Sequence, residues 1–354
     1  MATGELYIPV NADTASWGRL PARGFVAVHT VASGDTVTVD TLSHEGLLED
    51  QGRDPAAWFG QFGVARADVL ADAIAFAATL AHDPRVDGPH VVTGPIGVRG
   101  AEHGDVVEIE FVALARRVDY GVISNRHGKG ALPGEMPEPV DGHTPAVVSR
   151  FATAHHGSSG DVGQLVAPSG ATARWPLAPF MGIAGVALDV ATPPSSVPPG
   201  DHGGNLDIRH LGPATRLFLP VQLAGAGVYF GDPHFSQGDG EVALTAFEAS
   251  LRATVRLTLH KDAAAGWHGP LGSDAEHWIV PGLHEDLNEA VRIATRRALA
   301  LLGPLGFDRA TALAYLSAAA DLHVSQVVDG VKGVHFRIRR ADLADDRTLP
   351  TMSA

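Results

Sequence analysis

A chain of 354 residues exceeds what one hydrophobic core usually organises and leaves room for two or three subdomains around a continuous interior. Its 41 glycines and 24 prolines, with 45% hydrophobic and 19% charged residues, suit a turn-rich β architecture better than a helical one. A formal charge of −14 with only 26 Lys and Arg excludes a nucleic-acid footprint, which needs clustered cations, and the lack of cysteine excludes disulfides, thiolate metal ligands and a cysteine nucleophile.

Segment 1–24 has no basic stretch followed by an apolar one, and no run approaches the roughly 18 consecutive apolar residues of a spanning helix, so a cytoplasmic protein with no membrane partner is predicted. Segments 24–31 and 36–40 flank Gly34 and Asp35 and read as extended runs, with Val37 and Val39 opposing Thr36, Thr38 and Asp40. Residues 54–63 read as a loop around Trp58 and Phe59, whereas Val69, Ile74, Ala77 and Leu80 predict a helix within 66–81. Val107, Ile109 and Phe111 alternate with Glu108 and Glu110 and predict a strand over 105–112. Residues 125–170, rich in Gly, Pro, His and Ser without a stable period, are expected to form a long irregular excursion with short strands.

Pro193, Pro194, Pro198 and Pro199 stiffen the approach to Gly203. The apolar run 215–225 and the alternation of 251–259 predict a central sheet. Leu287, Val291, Ala294, Ala298 and Leu301 recur at helical spacing, Gly303 and Pro304 close that helix, and Asp308 caps a second one running to about Ala320. Segments 324–328 and 334–338 predict a closing hairpin, and the basic run Arg337, Arg339 and Arg340 reads as the wet face of a strand. Three subdomains of one compact unit follow: a β-rich part over 1–170, a central sheet region over 171–270, and two helices plus a hairpin over 271–354.

Acceptors concentrate in Gly203-Gly204-Asn205-Leu206-Asp207 and in Gly231-Asp232-Pro233-His234-Phe235-Ser236-Gln237-Gly238-Asp239-Gly240-Glu241. If Asp232-Pro233-His234 is extended, its outer side chains project from one face, because strand periodicity is two. Joined by Asp207, they offer three ligands for a divalent metal and leave a position open for water. Glu241 is then placed to accept a proton from that water, and Asn205 or Gln237 to orient a substrate. The plain alternative is that Asp207 and Asp239 close turns and His234 is satisfied in the core. Asp40, His44 and His90, at strand ends, are weaker candidates, and Glu45 beside His44 is a further one. His127, His143, His155, His156, His202 and His284 fall in loops and are expected to be solvated. Ser158 and Ser159 invite a Ser–Lys amidase reading, although Lys129, Lys261 and Lys332 lack a suitable neighbourhood.

These residues resemble the acetamidase/formamidase family. The resemblance rests on Asp40 to Gly46 (DTLSHEG), His90 to Pro95 (HVVTGP), Val98 to Asp105 (VRGAEHGD), Met181 to Ala187 (MGIAGVA), Gly203 to Asp207 (GGNLD), Gly231 to Glu241 (GDPHFSQGDGE) and Ser325 to Val334 (SQVVDGVKGV), in order along nearly the whole chain. It implies a β-rich α+β fold, a jelly-roll-like β-sandwich with smaller α/β additions, a bound divalent metal, zinc, and hydrolysis of small amides. The site residues carried over are Asp207, Asp232, His234, Gln237 and Glu241, with Asp40, His44 and His90 as weaker members. Phe235 departs from the smaller residue expected there and is read as narrowing the pocket. The leading reading is therefore a metal-assisted amidohydrolase, expected to be a homo-oligomer. The alternatives are a non-catalytic small-molecule or metal-binding jelly-roll protein and a Ser-based amidase.

Overall fold

The computed structural model describes residues 6–158, 160–345, 347, 349 and 352. Two large β-sheets face each other, and the few helices pack outside them, which is the β-rich α+β sandwich expected. One sheet has nine strands in the order Leu6–Ile8, Thr36–Asp40, Leu251–His260, Val106–Arg116, Thr215–Pro220, Leu271–Ser273, His277–His284, Lys332–Arg339 and Asp321–Gln326. The other runs Thr172–Pro176, Gly160–Val166, Val147–Gly157, Tyr120–Arg126, Phe247–Glu248, Val228–Ser236, Phe180–Gly185 and Gly203–Asn205. Val91–Val98 also pairs with Val228–Ser236 and carries Ala15–Trp17 and His29–Val31 with it. Segments 1–170 and 171–270 supply strands to both sheets, and 271–354 only to the first.

Alternation explains how the sheets bury two faces. From Thr215–Pro220, Leu217 and Leu219 enter the core between the sheets with Val107, Ile109, Val255, Leu257, Val228 and Phe230. Phe218, one step out of phase, enters a second core beneath the helix Leu287–Leu302, with Trp278, Val280, Ala294 and Ala298. The caps fall where the residue types demand: the side chains of Asp286 and Asp308 accept the first free N–H groups of Leu287–Leu302 and Arg309–Ala319. Among the described residues no helix is long and apolar enough to cross a membrane.

Two local expectations change. Residues 55–60 form a short helix, because Asp54 accepts from Ala57 N–H and Pro55 starts the first turn, and Trp58 and Phe59 are buried under it. Within 125–170, Val147–Gly157 and Gly160–Val166 form a long antiparallel hairpin. Its alternation is faint because much of it is exposed near the sheet's edge, so composition masked a regular element.

Candidate functional site

The second sheet gathers most of the site. Val228–Ser236 lies between Phe180–Gly185 on one side and Val91–Val98 with Phe247–Glu248 on the other, and these neighbours bring Gly182, His90 and Glu248 towards Asp232 and His234. His234 Nε2 lies 3.0 Å from Asp232 Oδ2 and 2.9 Å from Glu248 Oε1, and its Nδ1 lies 3.9 Å from Asp207 Oδ1. The other oxygen, Asp232 Oδ1, lies 3.3 Å from His44 Nδ1 and 3.7 Å from His90 Nε2. Glu241 joins Asp207 and His234 in a group with ligand atoms within 4.8 Å of one another. Asp232 and His234 do share a face, but not through simple extension: Asp232 has φ +51°, so the backbone twists at the carboxylate. Asp207 (φ +48°) and Glu241 (φ +45°) adopt the same left-handed conformation. That costs an L residue on the order of 1 kcal/mol or more each, and such strain gathers where function fixes a side chain.

Gly182 shows how close the packing is. A Cβ there would stand 2.5 Å from Asp207 Oδ1, 2.6 Å from Asp232 Oδ2 and 2.9 Å from His234 Cε1. The same glycine's carbonyl accepts the N–H groups of Leu206 and Asp207, fixing the loop that brings Asp207 in.

Charge is unbalanced at this place. Glu45, Asp207, Asp232, Glu241, Glu248 and Asp329 are all buried, and among the described residues the guanidinium that pairs with them is that of Arg126, which bonds Glu45 at 2.8 Å. Burial, then the Asp232 charge, raises Asp207 to about 7. Burial followed by the Asp207 charge drives Glu241 and Asp329 well above the ordinary range, and burial followed by Asp232 raises Glu248. Burial alone would lower the His44 imidazole, but the carboxylates of Asp232 and Glu45 close beside it outweigh burial and hold it at about 10. His90 has no such pair and burial takes it to about 4, while its Nδ1 contacts Ser196 Oγ at 2.8 Å.

Buried atoms without a hydrogen-bond partner include both Asp207 oxygens, Asp232 Oδ1, Glu241 Oε2, Glu248 Oε2, His44 Nδ1 and Asn205 Oδ1. An unpaired buried acceptor is costly, and so many in one place fit a cation. Imidazole with carboxylate is a donor set suited to zinc-like ions. The cluster opens into a cavity of about 640 Å³ lined by His44, His90, Asn205, Asp232, Glu241, Glu248 and Asp329 within, and by His82, Arg126 and Lys129 among other residues.

The other expected residues separate. Gln237 donates its amide to the carbonyls of Asp207 (2.9 Å) and Ser325 (3.0 Å), so it holds two segments together and does not line the cavity. Asp40 is bound by Arg252, Tyr7 and Arg117, away from the cluster. Phe235 does not narrow the cavity: one step out of phase with His234, it packs into the core between the sheets against Phe247. His202 is buried, not solvated, because Gly200 and Gly204 let its ring lie against the backbone, and its pKa falls to about 4 through burial. Ser158 is exposed at a hairpin turn outside the cavity lining, and Ser159 lies outside the described residues. Lys129, by contrast, lines the cavity.

Sequence reasoning missed Glu248 and Asp329. Glu248 had a signal: it is the one charged residue in the run 242–251, where a carboxylate must be buried with a partner. Asp329 read as a hairpin turn residue, which it also is.

Residues 183–335 match the model of the Acetamidase/Formamidase family. A formamidase of Methylophilus methylotrophus is 28% identical, the alignment covering 68% of this chain and 73% of that protein. The crystal structure of an acetamidase from Bacillus halodurans superposes with a TM-score of 0.73 at 25% identity, covering 95% of this chain and 99% of that one. An acetamidase from Yersinia enterocolitica shares the fold, with a TM-score of 0.72 at 23% identity over 93% of this chain and 90% of that one. The matched segment contains Asp207, Asp232, His234, Glu241 and Glu248, and with a likeness of fold over nearly the whole length the chain is similar to the acetamidase/formamidase family, which supports an amidase-like hydrolase with a candidate metal centre.

Proposed function

We propose that this protein hydrolyses a small neutral amide of the formamide or acetamide class to the carboxylic acid and ammonia. The observation that carries the reading is the set of unpartnered carboxylate and imidazole atoms at the floor of a cavity that is otherwise open to a small molecule. Asp207, Asp232 and His234 would hold a divalent ion, which we take to be zinc, with Glu248 on the same nitrogen of His234 as Asp232. The chemistry such an ion supplies is polarisation of a carbonyl and activation of water.

The chain's own residues do the rest. Asn205 Oδ1, buried and unpartnered beside the cavity, accepts an N–H from the substrate amide and orients it. Glu241 Oε2 takes a proton from the attacking water as its oxygen bonds to the carbonyl carbon. It returns that proton to the nitrogen as the C–N bond breaks, so ammonia leaves neutral. Glu45, bound by Ser124 Oγ at 2.7 Å and by Arg126, fixes His44 against Asp232. The same reading takes the enzyme to be a cytoplasmic homo-oligomer.

The test is a panel of formamide, acetamide, propionamide, urea and a γ-lactam assayed on zinc-loaded and chelator-treated protein. Ammonia release from a short linear amide, abolished by chelation and restored by zinc, is expected. Metal binding with no release from any of them would overturn the reading in favour of a binding protein.

A further inference from the structure

A second histidine cluster, His210, His323 and His335, lies outside the lining of the cavity. His323 and His335 are cross-strand partners in the closing hairpin, their rings stacked at 5.2 Å. His210, three residues beyond Asp207, meets both rings edge-on, and its Nδ1 lies 2.9 Å from His335 Nε2. One ring nitrogen from each residue lies within 4.8 Å of the others.

The outer nitrogens are already engaged. His335 Nδ1 meets Ser325 Oγ at 2.8 Å, and His323 Nδ1 meets Asp239 Oδ2 at 2.8 Å. Such partners characterise metal-bound histidines, because they fix the tautomer and leave the other nitrogen's lone pair free. The inner nitrogen of His323, Nε2, is buried and has no partner at all. A hydrogen-bonded imidazole pair would account for His210 and His335, but it leaves this third nitrogen unexplained. Burial, then Arg337, takes His210 to about 4, and burial, then His210, takes His335 well below its ordinary value.

We propose that His210, His323 and His335 form a second site, for a divalent ion of the zinc, nickel or copper type, that braces the catalytic loops. Three imidazoles select such an ion over calcium or magnesium, which take oxygen ligands. On binding, the proton shared between His210 Nδ1 and His335 Nε2 moves to His210 Nε2, so the three lone pairs face the ion. The site is partly open, His323 being 25% exposed, which leaves a fourth position to water. Its placement gives it the bracing role. His210 follows Asp207, Asp239 precedes Glu241, and the strand with His323 and Ser325 leads to Asp329. Gln237 already links the carbonyls of Asp207 and Ser325.

The test is zinc titration of chelator-treated full-length protein by calorimetry, with metal content measured after dialysis. Two ions per chain are expected in the wild type. His323→Ala and His210→Asn, both at partly exposed side chains, are expected to lose one ion while keeping cooperative melting, and Asp232→Asn to lose the other. In a measurement without variants, zinc should protect His210 and His323 from carbethoxylation by diethylpyrocarbonate, read by peptide mass. The proposal is overturned if both histidine variants bind as many ions as the wild type, or if zinc leaves the modification of His210 and His323 unchanged. A single wild-type ion that survives Asp232→Asn but not His323→Ala would support this site and count against the catalytic one. The reverse pattern would do the opposite.

Discussion

Two acidic clusters lie within a few residues of each other in sequence, at Asp40 and around His44, and they are built to opposite ends. Asp40 is 1% exposed and both its oxygens are satisfied: Arg252 Nε at 2.6 Å on one, Tyr7 Oη at 2.7 Å and Arg252 Nη2 at 2.9 Å on the other. The Asp232 cluster is as buried, yet it crowds carboxylates together and leaves oxygens on Asp207, Asp232, Glu241 and Glu248 unpartnered. Burial alone therefore says nothing about role. A carboxylate whose acceptors are all met by the chain's own cations stabilises the fold, whereas one left with bare acceptors is waiting for something the chain does not supply.

The sharpest way to break this contrast is to remove an acceptor from the unbalanced cluster. His234→Ala should lower metal occupancy and activity together. The loss should exceed the roughly 10- to 100-fold that follows removal of a merely supporting partner, since His234 is 0% exposed and touches both Asp232 and Glu248. A metal-replete, fully active variant would place His234 in the structural class with Asp40. Glu241→Gln should be smaller and different in kind. Metal stays bound and the chemical step slows by roughly a hundredfold or more, read as a fall in kcat at unchanged metal content.

Next comes a residue with no chemistry of its own. Gly182→Ala puts a methyl carbon within van der Waals overlap of Asp207, Asp232 and His234, so the ligands must spread. Metal affinity is expected to fall by roughly 10- to 100-fold, the scale of a disturbed supporting shell, and the metal-free chain should also lose roughly 1 to 3 kcal/mol of stability to overpacking. Equal zinc affinity in the variant would mean that these three side chains do not share an ion.

How far the two clusters were readable beforehand follows from the same distinction. Asp207, Asp232, His234 and Glu241 stood out because acceptors bunch in segments that turn sharply, and bunched acceptors are visible in one dimension. Glu248 is a lone charge in an apolar run, visible only to a reader looking for carboxylates that must be buried. Asp40 was indistinguishable from a site residue because its answer, Arg252, lies 212 positions away and comes alongside only when Leu251–His260 pairs with Thr36–Asp40. Gln237 failed for a similar reason: the carbonyl of Ser325 that occupies its amide is 88 positions distant. The helices and their caps were readable because Asp286 and Asp308 act within three residues, whereas the hairpin within 125–170 lay hidden in its polar, exposed composition.

The smallest effect expected on turnover is at Asp40 itself, and it tests the satisfied half of the comparison through pH. Burial acts to raise the Asp40 carboxyl, but hydrogen bonds from Arg252 and Tyr7 and the charge of Arg117 more than reverse this and hold it below its ordinary value. A carboxyl lowered in the folded state contributes stability that is fully present above its unfolded pKa of about 3.9 and is lost as pH falls through the folded value. Asp40→Asn should therefore lower stability by about 1 to 3 kcal/mol at pH 7, the scale for a buried group left without its partner, moderated because Arg252 is 43% exposed. Below about pH 4 the gap between variant and parent should begin to narrow, closing as pH falls through the folded value, since protonation removes in the parent what the substitution removes in the variant. Melting curves of both chains from pH 7 to pH 3 read the difference directly, and acid effects elsewhere cancel between them. Turnover per folded, metal-loaded molecule should stay near that of the parent. A large fall in turnover without loss of stability would move Asp40 into the site, and a stability gap that does not narrow at all as pH falls below about 4 would show that its role is packing and not charge.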